Sequence, residues 1–183
     1  LTLRGFAQDP GLAQFPDIFK LRSACVAVYP MYKGVSRLVG MDVINTDSHF
    51  GAAEEFATVA ENWADYDFFF VHIKPTDSRG EDGDFKAKAE VIESVDEALP
   101  ALLDLKPDVL VITGDHSTPA QLRSHSWHPV PTLIWAPETH LTDMATAYGE
   151  RQAQQTGGLG HIAASDSMHL AMGHELRLAK SGA

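Results

Sequence analysis

Short apolar runs alternate with amphipathic stretches along the whole chain. Apolar runs bounded by charged residues or proline are typical of strands buried on both faces. Amphipathic stretches that separate such strands are typical of helices covering a parallel sheet. The pattern therefore predicts an α/β fold, with a mostly parallel sheet and helices on both faces. Strands are predicted over residues 24–29, 41–44, 67–73, 109–113 and 131–135.

The clearest predicted helix covers residues 85–103. Its apolar side chains recur every three or four positions from Ile92 to Leu102, and its acidic residues fall on the opposite face. Proline at position 100 predicts a kink or a new short turn, because proline cannot donate the helical hydrogen bond. Further helices are predicted over residues 32–39, 52–63 and 165–179.

Composition limits the possible partners. The chain has 183 residues, enough for one domain, and carries 25 acidic against 14 basic side chains, a net charge of −11. Nucleic acid and anionic membrane surfaces would be repelled by this charge. A small anionic substrate is still compatible with it, provided that local cations or metal ions offset the field.

The single cysteine, Cys25, lies in an apolar run and is predicted to be a buried structural thiol. No disulfide can form within the chain, which favours a reducing compartment and a cytoplasmic location. No apolar run approaches the roughly 20 residues that a membrane-spanning helix needs. The chain begins at Leu1 rather than at methionine, so we expect that it has been cut or trimmed.

Three polar loops follow predicted strands, at residues 76–84, 114–119 and 124–131. Each alone has a structural interpretation, because Asp caps helices and Gly makes turns. Together, at one edge of one sheet, they predict a metal site, since mixed His and carboxylate ligands suit Zn²⁺ or Mn²⁺. The adjacent Asp115 and His116 could serve two ions. Two ions about 3.5–4 Å apart would stabilise a phosphoryl transfer.

These loops and several neighbouring segments resemble the alkaline phosphatase superfamily. Within it, they resemble the archaeal-like type of cofactor-independent phosphoglycerate mutase. Each short segment is unspecific, but the combination covers most of the chain. The resemblance runs through residues 29–34, 38–43, 67–84, 86–96, 111–119 and 125–131.

The resemblance implies a set of metal ligands. Asp77 and His125 match ligands of a first ion, His125 within a His-x-x-x-Pro-Val-Pro pattern. Glu81 stands where many members have a histidine, which makes this site harder and richer in oxygen. Asp115 and His116 match the pair that binds a second ion. Two divalent ions are expected, Mn²⁺ or Zn²⁺ with Mg²⁺ as a further option, and 2,3-bisphosphoglycerate is not expected as a cofactor.

The family's nucleophilic serine lies upstream of an inserted domain, so we expect no catalytic nucleophile in this chain. Residues 1–22 are then the exit segment from a missing inserted domain. Residues 23–183 are the carboxy-terminal part of the metal-binding domain. The chain alone is expected to be inactive. A missing neighbouring strand would leave a sheet edge open for a homo-oligomer.

For the full-length enzyme, the resemblance implies interconversion of 3-phosphoglycerate and 2-phosphoglycerate through a metal-activated phosphoserine. The partner is then a small phosphorylated substrate. Two alternatives stay open. One is a metal-dependent phosphatase or phosphonate hydrolase of the same superfamily, and the other is a non-catalytic fragment that kept the fold.

Overall fold

The computed structural model describes residues 8–47 and 49–178. The first seven residues of the predicted exit segment therefore lie outside the described part. The chain divides into two compact units. The first contains Leu1–Ser78 and Lys86–Leu105, and the second contains Arg79–Phe85 and Lys106–Ala183.

A three-stranded parallel sheet forms the centre of the first unit. Its strands are β1 (Ser23–Ala27), β2 (Asp42–Ile44) and β3 (Phe68–His72), in the order β2-β1-β3. Cys25 of β1 is in register with Val43 on one side and with Phe70 on the other. The predicted parallel sheet is thereby confirmed for these strands.

Helices alternate with these strands along the chain, and most were predicted. Proline at position 100 ends one helix and starts the next, as expected from its missing N–H. Two elements were not predicted: a short helix inside the proposed exit segment, and a helix in place of the polar loop at residues 76–84. The helices are α1 (Phe15–Phe19), α2 (Pro30–Leu38), α3 (Ala52–Glu61), α4 (Pro75–Asp82), α5 (Phe85–Ala98) and α6 (Pro100–Leu103).

The second unit contains an antiparallel pair, β4 (Leu110–Ile112) and β5 (Leu133–Trp135). In the described residues, this pair is hydrogen-bonded separately from the three-stranded sheet. The expectation that all three polar loops follow strands of one sheet is therefore not met. The unit also contains two short 3₁₀ helices and the helices α7 (Glu150–Thr156) and α8 (Ser167–His174).

The core of the first unit forms around β1, all five residues of which are buried. Val26 packs with side chains of α3 and α6, among them Phe56, Val59 and Leu102. Cys25 is fully buried, as predicted, and burial raises the pKa of its thiol. None of the helices in the described residues is both long and apolar enough to span a membrane.

Among the described residues, one charged side chain lies in this core. Glu55 of α3 is only 1% exposed, and its Oε2 has no hydrogen-bond partner among the described residues. Burial raises the pKa of Glu55 to about 8, and the positive charge of Lys33 offsets only part of this effect. Glu55 is therefore mostly protonated at neutral pH, and the core does not contain an unpaired carboxylate charge at this position.

We expect Glu55 to make the protein less stable as pH rises. Between its ordinary pKa of 4.5 and its folded pKa of about 8, the folded state binds more protons than the unfolded state. The free energy of unfolding then falls as pH rises through this window, with a slope of up to about 1.4 kcal/mol per pH unit. Glu55→Gln should remove this contribution. Urea denaturation at several pH values between 5 and 8 measures it.

Glu61→Gln is the matched control, since Glu61 lies at the end of the same helix but is exposed. This variant should keep the pH slope of the unmodified protein. An identical pH slope in Glu55→Gln and in the unmodified protein would show that the buried carboxyl does not titrate as inferred.

Candidate metal centre

Asp115 and His116 lie in the loop that follows β4 and are joined by local contacts. The backbone N–H of His116 donates to Asp115 Oδ1 over 3.0 Å. Asp115 Oδ2 lies 3.5 Å from His116 Nε2. The carboxylate is about half exposed, so a ligand can reach it from solvent.

Thr118 fixes the orientation of the His116 ring. Its Oγ1 lies 3.0 Å from His116 Nδ1, and its side chain is buried. Because Nδ1 is engaged, Nε2 is the atom left to bind a metal ion. A hydrogen bond to the second ring nitrogen is the usual way in which proteins orient a metal-binding histidine.

A pair of serines brings the second polar loop onto the first. Ser117 and Ser126 form an isolated antiparallel bridge, in which Ser126 N–H donates to Ser117 O over 3.0 Å. The bridge places His125 against His116, with ring centroids 3.8 Å apart and planes at 28°. A ring nitrogen of each histidine lies within 4.8 Å of the other. The two histidines therefore present nitrogen ligands to one small volume.

Gly80 allows α4, which carries Glu81, to lie against the loop that contains Thr118. A Cβ atom at Gly80 would lie 2.2 Å from Thr118 O, far inside van der Waals contact. Only glycine allows the backbone of α4 to approach this loop so closely. The next residue, Glu81, then lies with its Oε1 3.8 Å from His125 Nε2.

The separation between Glu81 and His125 is informative. A distance of 3.8 Å is too long for a hydrogen bond. Two atoms bound to one ion at about 2.0–2.2 Å each lie roughly 3–4 Å apart. The Glu81 carboxylate and the His125 imidazole thus fit a shared divalent ion by distance and by ligand chemistry.

Asp77, the remaining predicted ligand, lies in the first turn of α4, one helical turn before Glu81. Its half-buried carboxylate accepts a hydrogen bond from Lys74 Nζ. Sequence reasoning missed Lys74, Thr118 and Gly80 as contributors to the site. For Gly80, the available signal was its position between two predicted ligands, Asp77 and Glu81.

Two neighbours of His125 have different surroundings. His128 Nδ1 lies 2.9 Å from Ser126 Oγ, so this histidine is engaged within its own loop. Trp127 is 94% exposed and touches the edge of the His128 ring. Neither stacks with His116 as His125 does among the described contacts.

A chain with a parallel α/β sheet and with His and carboxylate side chains placed to bind a divalent ion has the features of an α/β metalloenzyme. A family model described as the Metalloenzyme superfamily matches residues 8–174. The chain belongs to this superfamily.

Curated proteins with similar sequences belong to the family that the sequence analysis identified. A protein of Thermotoga neapolitana is 52% identical over 181 residues, which are 99% of this chain and 44% of the relative. A protein of Deinococcus radiodurans is 50% identical over 184 residues, 100% of this chain and 44% of the relative. Both are named probable 2,3-bisphosphoglycerate-independent phosphoglycerate mutase. The predicted resemblance is confirmed, and the chain spans 44% of the length of these relatives.

Solved structures confirm the predicted fold. A protein from Pyrococcus horikoshii superposes with a TM-score of 0.86 at 37% identity, over 93% of this chain and 54% of that one. The cofactor-independent phosphoglycerate mutase of Thermoplasma acidophilum superposes with a TM-score of 0.70 at 23% identity, over 91% of this chain and 40% of that one. At that identity the second likeness shows the fold alone.

We expect Gly80→Ala to damage both stability and the site. Its Cβ cannot fit against the Thr118 carbonyl, so α4 or the loop must move and separate Glu81 from His125. Overpacking of this kind costs about 1–3 kcal/mol. Thermal unfolding and Mn²⁺ titration measure the two effects.

Gly34→Ala is the control, because Gly34 also lies in a helix but nothing is within 4 Å of an added Cβ. It should leave the protein equally stable or up to about 1 kcal/mol more stable. Equal behaviour of the two variants would refute the close approach at Gly80.

Proposed function

We propose that the protein takes part in the interconversion of 3-phosphoglycerate and 2-phosphoglycerate, as a 2,3-bisphosphoglycerate-independent phosphoglycerate mutase. The observation that carries the proposal is the pairing of His116 with His125 beside Glu81, in a chain about half identical to relatives with that name. The substrate is then a small phosphorylated acid, and neither nucleic acid nor a membrane is a partner.

Two divalent ions suit the ligands that this chain offers. Asp77, Glu81 and His125 would hold one ion, and Asp115 with His116 would hold the other. Mn²⁺ or Zn²⁺ fits the mixture of nitrogen and oxygen ligands, and Glu81 shifts the balance toward Mn²⁺ or Mg²⁺. When bound, such ions stabilise negative charge on a transferring phosphoryl group and activate an alcohol.

The residues of this chain prepare that site in three ways. Thr118 orients the His116 ring, and the Ser117–Ser126 bridge holds the two histidines together. The exposed carboxylates of Asp115 and Glu81 let a substrate approach from solvent. Since the protein carries a net charge of −11, the ions also offset the field that would repel an anionic substrate.

The nucleophile belongs, in this proposal, to the part of the relatives that the chain does not span. A serine there would take the phosphoryl group and return it to the other hydroxyl of the glycerate. Residues 1–22 would form the exit segment from an inserted domain, and residues 23–183 part of the metal-binding domain. The 183 residues alone should therefore turn over no substrate. A cytoplasmic location in glycolysis and a homo-oligomer complete the proposal.

The assay that tests the proposal uses the longest form of the protein that its gene encodes. With Mn²⁺ and 3-phosphoglycerate, we expect 2-phosphoglycerate to form without added 2,3-bisphosphoglycerate, and His116→Gln to lower kcat at least 100-fold. Release of inorganic phosphate without 2-phosphoglycerate would replace the mutase with a phosphatase or phosphonate hydrolase. Metal binding with neither product would favour a non-catalytic protein.

Thr118→Val tests the metal site independently of turnover. The change keeps the shape of the side chain but removes the hydroxyl that holds His116 Nδ1. We expect the affinity for Mn²⁺ to fall about 10- to 100-fold, the usual effect of losing a hydrogen bond behind a metal-binding histidine.

Thr139→Val is the matched control, since Thr139 Oγ1 lies 3.1 Å from His174 Nδ1 in a pair that the site does not use. This variant should bind Mn²⁺ as the unmodified protein does. An equal loss of Mn²⁺ affinity in both variants would contradict the role given to Thr118, and so would unchanged affinity in both.

A further inference from the structure

Two turns at the carboxyl ends of neighbouring parallel strands face each other in the first unit. Tyr29 lies between β1 and α2, and Lys74 lies between β3 and α4. The Nζ atom of Lys74 is 5.0 Å from the centre of the Tyr29 ring, a distance typical of a cation–π contact. Ligands of open α/β sheets bind at this edge of the sheet.

Lys74 is held in place more firmly than an ordinary surface lysine. Its side chain is 23% exposed, whereas that of Lys86 is 88% exposed. Beside these turns, the ring of Tyr32 in α2 stacks on His72 at the end of β3, with ring centroids 3.7 Å apart. The ammonium group is therefore fixed at the carboxyl end of the sheet at some cost in side-chain entropy.

The ammonium of Lys74 also pairs with the carboxylate of Asp77. Asp77 is the proposed ligand of a divalent ion, so one carboxylate serves two cations. An ion bound to Asp77 would lie within a few ångströms of Lys74 and repel it. An anion placed between the ion and the ammonium group removes this repulsion, because it is attracted by both.

We propose that Lys74 is a phosphate-binding residue, which turns from Asp77 to a phosphoryl oxygen of the substrate when a divalent ion binds to Asp77. This inference rests on the proposed function and names a residue that binds its substrate. The phosphoryl group of a phosphomonoester carries up to two negative charges and three acceptor oxygens, so it can contact the ion and the ammonium together. The Tyr29 ring keeps the ammonium within reach of both partners.

The proposal has a thermodynamic consequence. Without an anion, Lys74 competes with the divalent ion for Asp77 and weakens its binding. With phosphate present, Lys74 contributes to binding instead. The ion and phosphate must then raise each other's affinity by equal factors, and part of this coupling depends on Lys74.

The experiment measures Mn²⁺ affinity with and without inorganic phosphate, using the longest form of the protein that its gene encodes. In the unmodified protein, phosphate should tighten Mn²⁺ binding by about 5- to 150-fold, the usual range of such coupling. In Lys74→Met, Mn²⁺ alone should bind several-fold tighter, and the coupling should fall at least fivefold. Lys74→Arg, which keeps the charge, should retain most of the coupling.

Lys86→Met is the control, because Lys86 is a highly exposed lysine that pairs with Glu90 over 3.6 Å. It should match the unmodified protein in both measurements. If Lys74→Met does not fold, Lys74→Gln gives the same comparison, since it also removes the charge.

Several results would overturn the inference. Weaker Mn²⁺ binding by Lys74→Met with unchanged coupling would leave Lys74 a structural residue only. Glycerate has a carboxylate but no phosphate, so its coupling with Mn²⁺ provides a comparison. If Lys74→Met loses the glycerate coupling but keeps the phosphate coupling, Lys74 binds the carboxylate instead. A different result separates the two proposals: absent mutase turnover together with coupling that depends on Lys74 would refute the proposed function but support this inference.

Discussion

The backbone of α4 passes so close to Thr118 that a single methyl group at Gly80 would lie 2.2 Å from its carbonyl oxygen. Both partners of this approach also serve the candidate metal centre. Thr118 holds the ring of His116, and the residue after Gly80 is Glu81, whose carboxylate lies beside His125. The distance between the carboxylate and His125 thus depends on the absence of a side chain at one position. A site built this way has ligands fixed by backbone packing rather than by flexible side chains.

In the first unit, the arrangement of strands and helices depends on the burial of apolar side chains. The strand β1 is buried along its entire length, and α3 packs against it. Such packing tolerates Glu55 only because burial keeps its carboxyl group mostly protonated at neutral pH. One part of the chain therefore holds a neutral carboxyl in a dry core. At Asp115 and Glu81 the carboxylates stay exposed, where they can accept a metal ion.

Much of this architecture follows from local sequence. The burial of β1 follows from its continuous apolar run, and the break between α5 and α6 follows from Pro100, because one residue type decides the outcome in each case. The ligand types at Asp115, His116 and His125 are likewise visible in the sequence. The family resemblance added an expectation about their roles.

Contacts between distant residues were harder to predict. The sequence does not show that β5 runs antiparallel to β4, because a short apolar run has no preferred direction of pairing. The loop expected at residues 76–84 is a helix, since Pro75 can start a helix as readily as end a strand. The hydrogen bond from Thr118 to His116 depends on one side-chain rotamer, which no spacing rule gives.

Charge links these separate features. An acidic protein that binds an anionic substrate must concentrate positive charge at one point. In the proposed site, the carboxylate of Glu81 would add negative charge to the ligands of the first ion and leave that ion less able to attract a phosphate. Lys74 lies three residues before Asp77 and supplies a fixed positive charge at the same sheet edge. If Lys74 binds phosphate as proposed, its ammonium would restore the attraction for a phosphate that a carboxylate ligand at Glu81 weakens.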